Sequence, residues 1–136
     1  MTGKQIKKED WAWLAGLLEG EGHLGIHIHH RKYRKRSYPL PIIRMRNTDL
    51  KMLRAVVQIF GGGIRKVYDG GRATNLGIAR KPYYEWFPRQ SKIEEIAKNI
   101  RPFVRGKKIK IVEKIINFYN RPEVMERRRH WSHPKR

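Results

Sequence analysis

Leu14-Ala15-Gly16-Leu17-Leu18-Glu19-Gly20-Glu21-Gly22, reading LAGLLEGEG, is a short apolar run that ends in two carboxylates set between glycines. Asp10 precedes it as a helix N-cap, and the apolar run opens at Trp11. Trp11, Leu14 and Leu18 fall at i, i+3 and i+7 and form one stripe of the helix. Ala12, Gly16 and Gly20, four apart, form a second stripe made only of small residues. A glycine inside a helix costs about 1 kcal/mol relative to alanine. Gly16 therefore marks either close approach of another backbone, from this chain or a second copy, or a position merely tolerated on the protein's own sheet. Glu19 and Glu21 stand at the helix C-terminus, the negative end of the dipole, where a carboxylate loses roughly 0.3–1 kcal/mol. A cation, a basic side chain or a metal ion is expected to compensate them. Two residues apart, they point to roughly opposite sides and do not share one ligand. Simple solvation of both is the alternative.

Outward from this helix the punctuation alternates between strand and helix. In His23–His30, Leu24, Ile26 and Ile28 alternate with His23, Gly25, His27 and His29, the period of a half-buried strand. Arg31–Arg36, reading RKYRKR, is a basic loop. Pro39–Arg46 is a second strand, with Ile43 and Met45 on one face and Arg44 and Arg46 on the other. Asn47-Thr48-Asp49 caps a helix that carries Leu53, Val56, Val57 and Phe60 at helical spacing and stops at Gly61-Gly62-Gly63. Ile64–Asp69 is a third strand, ended by Asp69-Gly70-Gly71, and a fourth lies within Leu76–Phe87. Ser91 and Glu94 form a capping box before Ile93, Ile96, Ala97 and Ile100, and Pro102 breaks that helix. A last helix spans Lys107–Tyr119 and closes before Pro122. Residues 1–120 read as one α+β domain, with helices on one face of an antiparallel sheet and the other face open. Residues 121–136 read as a basic, loose C-terminal tail.

Charge narrows the partners. Lys and Arg number 32 against 12 Asp and Glu, a formal net charge of +20 in 136 residues. Solubility alone asks for a magnitude of roughly 2–8 in a small domain. A polyanion is the natural partner, nucleic acid first and an anionic membrane surface second. No run approaches the roughly 18 apolar residues of a membrane span. Met1–Asp10 lacks the apolar stretch of a signal peptide, which gives an intracellular expectation. There is no cysteine, so disulfides and thiolate metal sites are excluded. A strand that alternates Leu and Ile with His and Arg packs its apolar side on helices and presents its basic side to DNA, and a two-stranded ribbon fits the major groove. On that basis His23, His27, His29, Arg31, Lys32, Arg34, Arg44, Arg46, Lys66 and Tyr68 are candidate DNA-binding residues. The histidine cluster also admits a structural zinc site or a merely solvated face, but it lacks cysteine and a spaced partner pair.

LAGLLEGEG resembles the signature of the LAGLIDADG homing endonucleases. It departs from it at Leu18, Glu19, Gly20 and Glu21, and keeps the order of apolar, small and acidic positions. Gly22-His23-Leu24-Gly25-Ile26 resembles the start of that family's first strand, and the likeness extends to about residue 120. The resemblance implies an αββαββα fold and divalent-metal hydrolysis of DNA phosphodiesters on both strands. It implies Mg²⁺, with Mn²⁺ or Ca²⁺ able to substitute for binding, held by the carboxylate of Glu21 and the carbonyl of Gly20. It assigns Asn47 as a polar residue organising water, Lys51 as a basic residue one turn into the next helix, and Lys107 as the lysine ahead of the last long helix, with Lys108 as the alternative. For Asn47 a plain helix cap, and for Lys51 a solvated helix face, stand beside those roles. Glu19 receives no role. One motif in the chain implies a homodimer with Ala12, Ala15, Gly16 and Gly20 at its seam, acting on a palindromic or near-palindromic double-stranded DNA site. The alternatives are an intron maturase bound to host intron RNA, another non-cleaving nucleic-acid binder of the same fold, and a basic ribosome-associated protein.

Overall fold

The chain passes from helix to strand with no loop between them. Helix α1 ends at Glu21 and strand β1 begins at Gly22. The switch depends on the absence of a side chain at Gly22, where a Cβ would lie 2.6 Å from the carbonyl oxygen of Leu18. The computed structural model describes residues 5–30, 37–68, 71–72 and 79–122.

The order is α1 (Lys8–Glu21), β1 (Gly22–His30), β2 (Ser37–Asn47), α2 (Leu50–Phe60), β3 (Gly63–Tyr68), β4 (Gly71–Arg72), β5 (Ala79–Arg80), β6 (Tyr83–Phe87), α3 (Ile93–Ile100) and α4 (Ile109–Tyr119). β1, β2, β6 and β3 form one antiparallel sheet in that spatial order, and β4 and β5 form a separate two-residue ribbon. All four helices contribute to a single core. Trp11, Leu14 and Leu18 of α1 meet Leu53, Val56 and Phe60 of α2, Ile96 and Ile100 of α3, and Val112 and Ile115 of α4 over Ile43, Met45 and Trp86 of the sheet. This is the expected α+β plan, with its helices on one face of an antiparallel sheet.

Several boundaries differ from the sequence expectation, each for a local reason. α1 starts at Lys8, so Asp10 lies inside its first turn; its carboxylate reaches back to accept the Lys7 N–H at 3.1 Å. Capping is still done by Asp10, from the third helical position rather than the cap position. α2 is capped as expected, with Asp49 Oδ1 accepting the Met52 N–H at 3.0 Å. It ends at Gly61 and Gly62, which hold φ of 78° and 88°, values that favour glycine. The Ser91–Glu94 capping box does not form. Ser91 lies in a 3-10 turn, Gln90–Lys92, and α3 begins without a side-chain cap. Glu94 instead pairs with Lys98 at 3.1 Å, one turn on. The stretch given one fourth strand holds two, β5 and β6, and Gly71 belongs to β4 rather than to a turn; Asp69 and Gly70 lie outside the described residues.

The last helix starts at Ile109 and not at Lys107, because Gly106–Lys108 form a turn that docks on α1. The outer half of β1 leaves the core. Leu24 and Ile26 pack against it, but Ile28 is 56 % exposed. Pro39 and Pro41 fit in β2 because β6 pairs with it only from Met45 to Asn47, leaving the outer half bonded to β1 alone. No helix among the described residues is long and apolar enough to cross a membrane.

Candidate functional site

The end of α1 is held by a two-way clamp to the turn before α4. Lys108 Nζ donates to the carbonyls of Leu18, Glu19 and Gly22, each at 2.9 Å. Glu19 returns the contact: its carboxylate accepts the Arg105 N–H at 3.1 Å and the Gly106 N–H at 2.7 Å. The positive partner expected at the dipole's negative end is thus a lysine of the chain itself, about one ammonium against the last turn's unsatisfied carbonyls. The two acids separate as their spacing requires. Glu19 is spent on the clamp, whereas Glu21 is exposed and its carboxylate has no hydrogen-bond or ion-pair partner among the described residues.

The clamp and the sheet register bring the other expected residues to this end of the molecule. Gly22 pairs with Met45, so Asn47, two residues further along β2, lies at the same sheet end as Glu21. Lys107 is exposed between Gly106 and Lys108, which are both bonded to the α1 terminus. Lys51 is exposed in the first turn of α2, just beyond Asn47. Asn47 spends its side-chain oxygen on the Asp49 N–H at 2.8 Å, the local turn that leads into α2. Among the described residues no hydrogen bond or ion pair joins Glu21, Asn47, Lys51 and Lys107 to one another: they converge as element ends, not as a bonded cluster.

The donor set at Glu21 is one exposed carboxylate beside the Gly20 carbonyl, which Lys108 leaves alone while taking its neighbours. Oxygen-only donors suit a hard cation such as Mg²⁺, which keeps waters and is commonly held by one or two carboxylates together with phosphates. Among the described residues no three His, Cys, Asp or Glu side chains gather in a way that holds a metal on their own. The residues present therefore fit a hard divalent cation only as a partial site, one that further oxygen donors would complete.

The sheet face away from the helices is polar. His23 and His27 stand on β1 with their Nε2 atoms 3.2 Å apart. Partial burial, the Arg44 charge, His27 and Arg46 together hold the His23 imidazole below its ordinary 6.5, against an opposing pull from Glu85. Across β2, β6 and β3, Arg46, Glu85 and Arg65 lie directly opposite one another. Glu85 is 1 % exposed, the buried charged residue of the described chain. Its carboxylate accepts Arg46 Nε at 2.8 Å on one oxygen and Arg65 Nε at 2.9 Å on the other, with Arg44 Nε 3.7 Å away. Burial alone would raise the Glu85 carboxyl, but the hydrogen bonds from Arg46 and Arg65 outweigh it and hold the group below its ordinary value. Arg46 is raised in turn, chiefly by that hydrogen bond.

Solved structures provide the comparison for this arrangement. The homing endonuclease I-CvuI, solved with its target in the presence of calcium, superposes with a TM-score of 0.59 at 15% identity, over 83% of this chain and 67% of that one. The I-SmaMI LAGLIDADG homing endonuclease bound to cleaved DNA gives 0.59 at 18%, over 96% and 44%. The homing endonuclease I-TnaI gives 0.54 at 21%, over 88% and 78%. The fold is that of the LAGLIDADG homing endonucleases. No family model and no curated protein matches the sequence.

Within the LAGLIDADG fold the sequence assignments divide. Arg44 and Arg46 lie on the open face with His23 and His27, as alternation required. Lys66 does not: it shares its strand side with Ile64, which packs on the core, and Arg65 takes the open side. Tyr68 pairs with Tyr83 beyond a register shift in β3, and His29 pairs with Tyr38. Arg31, Lys32 and Arg34 lie outside the described residues. Ala15 is corrected outright. It is 0 % exposed in the chain's own core, one position from Leu14, and has no surface to give a seam. Ala12 is partly exposed and Gly16 and Gly20 are exposed. Sequence reading missed Glu85, Arg65 and the Lys108 clamp. A lone acid inside the aromatic strand Tyr83–Phe87 was the one available signal for Glu85.

Proposed function

We propose that this chain is a site-specific double-strand DNA endonuclease of the homing type, acting as a homodimer with a divalent cation at Glu21. The observation that carries the reading is the exposed Glu21 carboxylate, without a hydrogen-bond or ion-pair partner among the described residues, held at the clamped end of α1 and two residues from His23 on the polar sheet face. The LAGLIDADG fold supports it, since structures with this fold include homing endonucleases solved on DNA. A net charge of +20 supports a polyanionic partner. Mg²⁺ bound there would neutralise a scissile phosphate and activate a water. The chain's own part is positional. Lys108 and Glu19 fix the α1 terminus, so Glu21 is presented without freedom to fold back. Asn47 anchors the β2–α2 turn at the same sheet end. Lys107, exposed beside the clamp, places a cation where phosphate negative charge arrives. One chain presents one such carboxylate, so cutting two strands takes two chains. Among the described residues nothing lies within 4 Å of a Cβ built on Gly16 or Gly20, so no packing there explains the two glycines, and a second α1 would.

The test is cleavage of the DNA made by joining the sequences that flank the coding element, with Mg²⁺. Wild type is expected to cut both strands within that site, and Glu21→Gln to bind it with similar affinity while cutting at least a hundredfold more slowly, the scale of losing an electrostatic contributor to catalysis. Binding without cutting by wild type across Mg²⁺, Mn²⁺ and Ca²⁺ would end the enzyme reading in favour of a non-cleaving nucleic-acid binder.

A further inference from the structure

The open sheet face holds a buried carboxylate among three arginines, which is an unusual expense on a surface whose general task is to meet phosphates. Phosphate binding needs only mobile positive charge. Glu85 cancels one charge of the cluster and immobilises two of its members. It does not itself meet a partner, being 1 % exposed with both oxygens occupied. Its effect must therefore be read through the arginines it holds.

The two arginines are held differently. Arg46 meets Glu85 most closely through Nε, at 2.8 Å, and not through a terminal nitrogen. The Tyr83 ring lies against this guanidinium, 5.9 Å from ring centroid to Cζ. Arg65 bonds side-on, through Nε at 2.9 Å and a terminal nitrogen at 2.6 Å, both to the same Glu85 oxygen. Its other terminal nitrogen lies outside that fork. The Arg46 side chain is 50 % exposed, so its free end reaches solvent. A guanidinium that offers two parallel donors on a fixed stem matches the paired N7 and O6 acceptors of guanine in the major groove. A guanidinium that offers one donor matches a phosphate or a single acceptor.

We propose that Glu85 is a specificity-positioning residue that fixes Arg46 as the reader of one guanine in each half-site, and leaves Arg65 a supporting, sequence-neutral contact. This rests on the DNA-binding reading above and not on cleavage. Without Glu85, Arg46 and Arg65 face each other across β6 as like charges and turn apart toward separate phosphates. Binding then survives and discrimination does not.

The experiment is selection of a randomised pool of DNA duplexes by binding alone, in Ca²⁺, with wild type, Arg46→Lys, Arg65→Lys and Glu85→Gln. Wild type is expected to enrich a two-fold site with a required guanine in each half. Arg46→Lys keeps the charge and loses the fork, and its preference at that one position falls about tenfold or more. Glu85→Gln loses the same position. Arg65→Lys keeps it. Arg46 is half exposed, so the contrast of Arg46→Lys with Arg65→Lys decides the matter even if Glu85→Gln folds poorly. Retention of the guanine in Arg46→Lys, or in a folded Glu85→Gln, overturns the assignment, as does an equal loss at every position. Cleavage is not measured, so a protein that selects its site and never cuts still decides this question. A wild-type pool with no enriched sequence overturns both this assignment and the site-specific reading.

Discussion

At the scale of single residues, the chain uses its few acids as fixed points for its many bases. Glu85 is the clearest case, and it makes a pH prediction with a definite sign. Its carboxyl is held below its ordinary 4.5 in the folded chain, because the Arg46 and Arg65 hydrogen bonds outweigh burial. A depressed folded pKa gives stability that is present above the unfolded value and lost as pH falls through the folded one. Glu85→Gln is therefore expected to be less stable than wild type at pH 7 by roughly 1–2 kcal/mol, the lower part of the range for hydrogen bonds to charged groups. The lower part applies because the Arg46 and Arg65 side chains are 50% and 60% exposed and water screens them. From pH 4.5 downward the gap should narrow, and it should close once pH has fallen through the lower folded value, where wild type carries a neutral acid at the same place. Thermal unfolding of both proteins from pH 7 to pH 3 checks this, and a gap that stays constant would show that the ionised carboxylate contributes nothing. None of this was legible in the sequence. Glu85 acquires its meaning from Arg46, 39 positions earlier, and Arg65, 20 positions earlier, brought alongside by two strand pairings.

At the scale of elements, the local rules worked where the deciding contact was local. Asp49 caps α2 three residues away, and Gly61 and Gly62 end that helix by their own φ. Ser91 and Glu94 had the right spacing for a cap, but a 3-10 turn took Ser91 before the helix began. In β3 the open face falls to Arg65 and not to Lys66, since in a strand one position changes the face. Ile64 fixes that parity, since it packs on the core. The α1 motif was legible as an anomaly, acids at a helix's negative end, but its resolution was not. Lys108 lies 90 positions from Leu18 and answers it through three backbone carbonyls. That long-range tie predicts a difference between neighbouring lysines. Lys108→Met should lower stability by about 1–3 kcal/mol, through lost charge-assisted hydrogen bonds and the unscreened helix end, which is several degrees in Tm for a domain this size. Lys107→Met, changing an exposed side chain beside it, should stay within about 0.5 kcal/mol of wild type. Equal losses in thermal melts of the two variants would mean that the clamp does not hold α1.

At the scale of the whole molecule, one stripe of α1 has no packing partner among the described residues. Trp11, Leu14, Ala15 and Leu18 are buried in the core, while Gly16 and Gly20 are exposed with open space around them. Two helix glycines at about 1 kcal/mol each relative to alanine are explained if a second α1 lies against them. Against that association stands the charge. Two chains of +20 repel each other, and the repulsion is long-ranged at low salt and screened within about 10 Å at 0.1 M. Salt should therefore act in opposite directions on the two assemblies. Raising it from about 0.05 to 0.5 M should increase the fraction that sediments at twice the 16.3 kDa chain mass, while it weakens DNA binding because counterions released into a saltier solution gain less entropy. Gly16→Leu separates packing from charge. A Cβ at Gly16 has nothing within 4 Å among the described residues and the position is exposed, so the circular-dichroism spectrum should be unchanged, whereas the dimer should be lost at every salt concentration because the backbones are held apart. Sedimentation of both proteins, free and on a duplex, reads the outcome. A wild type that remains monomeric throughout, or a Gly16→Leu variant that dimerises as well as wild type, would move the second carboxylate for two-strand cutting away from the α1 seam.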